Sequence, residues 1–318
     1  MLTLTFSPYN ECIPKRNLTK REVLHLAGHK RWVNLLMQSV FLGPSLLFFI
    51  VVVIIPFFLG MYYSFTDWNG VALSVNWVGG RNFAVMFADA KFWTSFWFTI
   101  RFTVAVVILT NVIAFALALL LVQPLKMRNL LRTLFFIPNV IGGLLLGFIW
   151  QFIFIRGFAA VGKATGLGFF KLEWLGTEAT GFWGIVIVFV WQAAGYMMII
   201  YIAGLMNVDR SLIEAAEIDG AGYGQKLRFI TLPLVMPAIT VCLFLSMSNA
   251  FKMFDLNLAL TRGGPFGSTE SLALNIYNEA FTNSNYGLGT AKALLFFVIV
   301  ALVSSLQVWF TKRREVQS

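Results

Sequence analysis

Charge is scarce in this chain: Asp, Glu, Lys and Arg make up 12% of its 318 residues, about half the roughly 25% of soluble domains. That excludes a globule kept in water by a charged surface. Cysteine is nearly absent. Cys12 lies in a polar tail and Cys242 inside an apolar run, different surroundings that give two free thiols rather than a disulfide. The two histidines, His25 and His29, have the i, i+4 spacing of a metal pair but no third ligand nearby, so solvated or headgroup-facing rings are expected and no metal site. Nucleophile, base and orienting group do not recur at spacings that would make a membrane-embedded enzyme. No secretory signal peptide is expected either, because the first 35 residues are polar and basic and no small-residue cleavage site follows the next apolar run. The first apolar helix is therefore expected to be an uncleaved anchor.

What the chain has in plenty is hydrocarbon: 58% of residues are hydrophobic, 33 are Phe and 10 are Trp, and the mean hydropathy is +0.78. Aromatic rings in such number suit helices that pack in lipid and anchor at its interfaces. A spanning helix needs about 20 mostly apolar residues. Six runs satisfy this, at 37–63, 96–121, 134–154, 182–206, 232–251 and 291–310. The expected fold is all-α, a polytopic membrane protein of six transmembrane helices with both termini on one side.

Lys and Arg outnumber acids 24 to 14, and their positions argue for membrane flanks rather than a nucleic-acid groove. Lys15, Arg16, Lys20, Arg21, Lys30 and Arg31 precede the first run, and Lys312, Arg313 and Arg314 follow the last. With Lys126, Arg128, Arg132, Arg210, Lys226 and Arg228, one side carries fifteen bases; the other carries Arg81, Lys91, Arg156, Lys163, Lys171 and Arg262. The positive-inside rule then puts both termini in the cytoplasm. Three parts follow: a basic cytoplasmic tail at 1–35, a six-helix transmembrane domain at 36–310 containing a cytoplasmic loop at 207–233, and a cytoplasmic tail at 311–318. Thr19 and Glu22 have capping-box spacing, so the first tail is expected to hold a short basic helix on the inner leaflet.

Two motifs yield to plain readings. Gly143 and Gly147 form a G-x-x-x-G, expected to let helix backbones approach. The stretch from Gly157 to Ala164 nearly matches the phosphate-binding G-x-x-x-x-G-K-[ST] loop. It has Ala164 where the magnesium-binding hydroxyl belongs and follows a membrane helix where a strand is required, so no nucleotide site is expected.

The loop at 207–233 is more informative. Ser211 and Glu214 have capping-box spacing, Gly220 stands where a left-handed stop is wanted, and Pro233 can open the next helix. Two short helices with a forced bend are expected. The run Glu214, Ala215, Ala216, Asp219, Gly220, Ala221, with Ile230, Leu232 and Pro233, resembles the EAA loop of the membrane subunits of type I ABC importers. That resemblance implies a coupling helix, with Glu214, Ala215, Ala216, Asp219, Gly220 and Ala221 in it, docked in a cleft of a separate ATPase subunit that carries ATP and Mg. This chain would then hold no cofactor and be a transport subunit rather than an enzyme.

A second resemblance narrows the class. Phe254, Asp255, Thr261, Gly263, Gly264, Pro265, Thr269, Ile276 and Tyr277 are similar to the sugar permeases of the maltose and glycerol-3-phosphate type. Pro44, Pro56, Ser64, Phe65, Trp68, Asn82, Phe83, Phe92 and Trp93 resemble the first membrane subunit of that family, and the likeness covers 41–310. It implies location in a bacterial inner membrane and carbohydrate import, with an oligosaccharide as cargo. The implied partners are a second permease, two ATPase copies and an extracellular or periplasmic sugar-binding protein.

In the maltose-type subunits, sugar is held at mid-membrane by the fourth and fifth helices. The matching positions here are Gln192, Ala193, Tyr196, Ser246, Asn249, Ala250 and Met253. By helical spacing, Gln192 and Tyr196 share one face, as do Ser246, Asn249 and Met253. Amide, hydroxyl and ring suit a saccharide's hydroxyl edges and C–H face. Such residues equally join helices by hydrogen bonds of about 0.6 kcal/mol each, and the sequence leaves both roles open. Lys252 and Asp255, three apart, are spaced to pair, and an intramembrane cation also points to an anionic sugar. The rivals are an ATP-independent secondary transporter or channel, a membrane enzyme, and an importer of peptides or phosphate, which would lack the Gly-Gly-Pro context.

Overall fold

The computed structural model describes residue 37 and residues 39–313. Cys12, the Thr19–Glu22 capping box with its interfacial helix, and His25 and His29 lie outside the described residues. The chain divides after Leu59 into two units. The first contributes most of the span α1, Ser39–Tyr63. In α1 a π turn over Ile50–Ile54 closes with the Ile55 N–H on the Ile50 carbonyl. Pro56 follows at once, and a residue without an N–H, whose ring crowds the carbonyl four back, favours such a widened turn.

The second unit holds α2 (Arg81–Ala88), α3 (Ala90–Val122), α4 (Arg128–Val140), α5 (Gly143–Thr165), α6 (Glu178–Met206) and α7 (Arg210–Ile218). After these come α8 (Tyr223–Phe251), α9 (Asp255–Leu260), α10 (Leu272–Tyr277) and α11 (Tyr286–Lys312). Among the described residues the only strand-like pairing is an isolated bridge from Thr66 to Trp77. Helices are what lipid permits, since each satisfies its own backbone. Six of them are long and apolar enough to cross a membrane, in agreement with the six runs read from sequence.

α6 is the centre. It packs on α3, α4 and α8, and 67% of its most apolar stretch is buried, against 33% for α3. An all-round apolar helix belongs inside, and small residues let neighbours close on it. A Cβ on Gly195 would collide with the carbonyl of Phe135 on α4. Between lipid-soaked helices the attraction is contact rather than water exclusion. Edge-to-face rings such as Phe102 on Phe189, 5.3 Å apart, add about 0.5–1.5 kcal/mol each.

The third span differs from the reading at 134–154. Pro138 lies inside α4, and the chain turns extended at Ile141 (ψ 125°) and Gly142 (ψ 141°) before α5 begins. The span is Gly143–Thr165, because the proline and two glycines break a run that hydropathy reads as continuous. Gly143 and Gly147 pack on α9, where a Cβ on Gly147 would come 2.5 Å from that of Ala259. The near-match to a phosphate loop is helical, with Gly157 at φ −62° and ψ −52°. Pro233 stands in the first turn of the α-helical stretch Leu232–Phe251, as expected, but the span itself begins earlier. α8 starts at Tyr223 and absorbs Pro233 through a π turn at Leu227–Thr231.

Candidate functional site

α7 is built to stand alone. Its cap is Asp209 rather than Ser211: the Asp209 carboxylate accepts the Ser211 N–H at 2.9 Å. Hydrogen bonds from Ser211 hold the Asp209 pKa below the ordinary carboxylate value. The far end is a Schellman stop. The Ala221 N–H donates to the Ala216 carbonyl and the Gly220 N–H to that of Glu217, with Gly220 at φ +81°. No residue of α7 is buried; Glu214, Ala215, Asp219 and Gly220 are exposed and Ala216 and Ala221 half-buried. Ile218 is 87% exposed. Glu217 reaches Lys226 at 2.5 Å and ties α7 to α8. The expected bend at Gly220 between two helices is present, and α7 is an uncovered helix capped at both ends.

The seven positions expected to hold sugar separate into three groups. Ala193, Ala250 and Met253 are buried in the core with Phe102, Phe189 and Leu256. Gln192 donates from Nε2 to the Ile141 carbonyl at 2.9 Å, supplying the partner that the break between α4 and α5 would otherwise lack. Ser246, fully buried, accepts from Asn111 Nδ2 at 2.9 Å, and the Tyr201 hydroxyl donates to Asn111 Oδ1 at 2.7 Å. Tyr196 and Asn249 alone are exposed. The expected shared face fails for Met253, which lies beyond the end of α8 at Phe251. Asn111, which joins α3 to both α6 and α8, escaped the sequence reading; a polar residue in the middle of an apolar run was the available signal.

Lys252 and Asp255 form no ion pair among the described residues. Lys252 caps the end of α8 and Asp255 starts α9, so the i, i+3 spacing does not fall on one continuous helix. The following turn is knitted by Asn257, fully buried, which donates to the Thr269 carbonyl at 2.8 Å and accepts the Ser271 N–H at 2.9 Å. The Thr269 hydroxyl donates to the Gly264 carbonyl at 2.5 Å.

Lys292, left without a role by the sequence, is fully buried near the start of α11. Its ammonium meets Glu279 Oε2 at 2.8 Å, Asp89 Oδ2 at 2.9 Å and Asn275 Oδ1 at 3.2 Å. Burial raises the Asp89 and Glu279 pKa values, and the hydrogen bond and charge of Lys292 outweigh it, aided at Glu279 by Asn285 and Asn283, so both lie below the ordinary value.

Residues 111–316 match the family described as "Binding-protein-dependent transport system inner membrane component". The chain is 48% identical over 277 residues to the probable starch degradation products transport system permease protein AmyD of Thermoanaerobacterium thermosulfurigenes, covering 87% of this chain and 94% of that one. It is 34% identical to the multiple sugar-binding transport system permease protein MsmF of Streptococcus mutans, over 87% and 95% of the two chains. In fold it is similar to a chain of a bacterial ABC transporter involved in the import of the acidic polysaccharide alginate. The TM-score is 0.78 at 19% identity, over 92% of this chain and 99% of that one.

Proposed function

Because the chain belongs to the family of binding-protein-dependent transport system inner membrane components, we infer that it is the membrane-spanning permease subunit of an ATP-driven carbohydrate importer. The observation that carries this reading is α7: a helix with no buried residue, fixed at both ends by caps, is what a separate motor subunit needs to grip. In this reading both termini and α7 face the cytoplasm. Two ATPase copies carry ATP and Mg, a second permease completes the pathway, and an extracellular or periplasmic binding protein delivers cargo.

Closure of the ATPase dimer moves α7, and the Glu217–Lys226 pair with the continuous α8 carries that motion into the membrane. A relative that handles starch degradation products makes an oligosaccharide the first candidate substrate. Tyr196 and Asn249, the exposed members of the mid-membrane set, present a ring and an amide to it. Gln192, Ala193, Ser246, Ala250 and Met253 shape the wall behind them.

The test is uptake of labelled maltooligosaccharide by cells carrying the full transporter. Tyr196→Leu and Asn249→Leu should leave complex assembly intact and lower uptake at least about tenfold, the loss of one to two hydrogen bonds. Loss of assembly would make them packing residues. Affinity purification that recovers the chain without ATPase or binding protein, under conditions that preserve other complexes, would overturn the importer reading in favour of an ATP-independent transporter.

A further inference from the structure

Three arginines converge on one cavity. Arg128 and Arg132 come from the first two turns of α4 and Arg210 from the first turn of α7, around a space of about 370 Å³. Its other walls are mainly apolar, with Val122 at the end of α3, Met206 at the end of α6 and Ile213 on α7. No acidic side chain lines it. Among the described residues, none of the three guanidinium groups has a carboxylate within 4.0 Å. Arg132 donates from Nη2 to the Leu121 carbonyl at 2.8 Å, capping α3, while its Nε is buried without a partner.

This arrangement is unfavourable when empty. Cations in the first turns of α4 and α7 oppose the positive poles of both helices, and Met127 gives α4 no side-chain cap. Three like charges around one space also repel. An anion in the cavity reverses each of these costs. Guanidinium forks match phosphate oxygens two at a time, and helix N-termini favour the same group. The apolar walls at the ends of α3 and α6 suit the glycerol and first acyl carbons of a lipid, the setting in which basic pockets between membrane helices take anionic headgroups.

We propose that this cavity binds a phosphate-bearing anion, with Arg128, Arg132 and Arg210 as its cationic ligands. The same chemistry is offered by an anionic phospholipid headgroup and by a soluble phosphate. The site is separate from the mid-membrane positions and stands whether or not the cargo is a sugar.

The test uses the full-length chain in a neutral polyoxyethylene detergent, followed by calorimetric titration and native mass spectrometry. Probes are dioctanoyl phosphatidylglycerol, dioctanoyl phosphatidylcholine and sodium phosphate. Saturable one-to-one binding of phosphatidylglycerol that phosphate does not displace identifies the lipid source. Saturable binding of phosphate that displaces the lipid identifies the soluble one. Arg128→Gln with Arg210→Gln should weaken either ligand about a hundredfold, near tenfold for each charged hydrogen-bonding group, and Arg101→Gln should bind as wild type. If the double variant does not fold, Arg128→Lys, which keeps charge but loses the fork, should still weaken binding about tenfold. Equal binding of phosphatidylcholine, no saturable binding of any probe, or unchanged affinity in the folded arginine variants would overturn the proposal.

Discussion

The Lys292 ammonium lies 2.8 Å from Glu279 and 2.9 Å from Asp89, so one buried cation joins the start of α11 to the segment after α10 and to the cap of α3. Removing one partner of such a cluster strands the others. Lys292→Met should cost about 3–5 kcal/mol, read as a fall in melting temperature of the purified chain. The pH dependence has a definite sign. Both carboxyls have lowered pKa values, so their contribution is complete above the ordinary values of about 4 and is lost as pH falls through the folded ones. Wild type should lose stability on that acid limb more steeply than Lys292→Met; parallel limbs would refute the assignment.

Gly195 and Gly224 make opposite forecasts. A methyl on Gly195 meets the Phe135 carbonyl, and backbone cannot step aside as a side chain can. Gly195→Ala should cost about 3 kcal/mol and lower the amount of folded chain in the membrane. Gly224 in α8 has nothing within 4 Å, so Gly224→Ala should stabilise by about 0.5–1 kcal/mol through the helical backbone alone. Fluorescence size-exclusion profiles of the two variants after graded heating separate the cases.

Asn111 holds Tyr201 and Ser246 together inside the bundle. Asn111→Leu takes the acceptor from the Tyr201 hydroxyl and a donor from that of Ser246, which keeps its own bond to the Leu243 carbonyl, and should cost about 1–2 kcal/mol. A thermal shift indistinguishable from zero would mean that water or the helix backbones take over those bonds.

Gly220 faces open space, so its requirement is conformational. At φ +81° a β-branched residue is strained by about 1–2 kcal/mol. Gly220→Val should therefore unwind the stop of α7 while the melting temperature of the chain stays nearly unchanged. Co-purification of an ATPase subunit and sugar uptake should both fall. Full uptake with an intact complex would remove α7 from the coupling role.

Much of this was legible because lipid imposes simple rules. The number of spans follows from run length, and the left-handed stop at Gly220 follows from local chain geometry. Where the reading slipped, the choice lay between neighbouring residues. The cap of α7 moved to Asp209 because its carboxylate reaches the Ser211 N–H, a choice among adjacent polar residues that spacing leaves open. Lys252 and Asp255 parted because α8 ends between them.

The sequence by itself determined the medium, the number of crossings and the place of α7, since these depend on composition and on contacts a few residues apart. Only the tertiary structure decided which polar residues face inward. Lys292 is 203 residues from Asp89, and Asn111 is 135 from Ser246. Whether an amide in a span meets another segment, as Gln192 and Asn111 do, or stays open, as Asn249 does, depends on which backbones close together. Gly195 against Phe135 and Gly147 against Ala259 set that closure, and no local pattern encodes which residue each glycine meets.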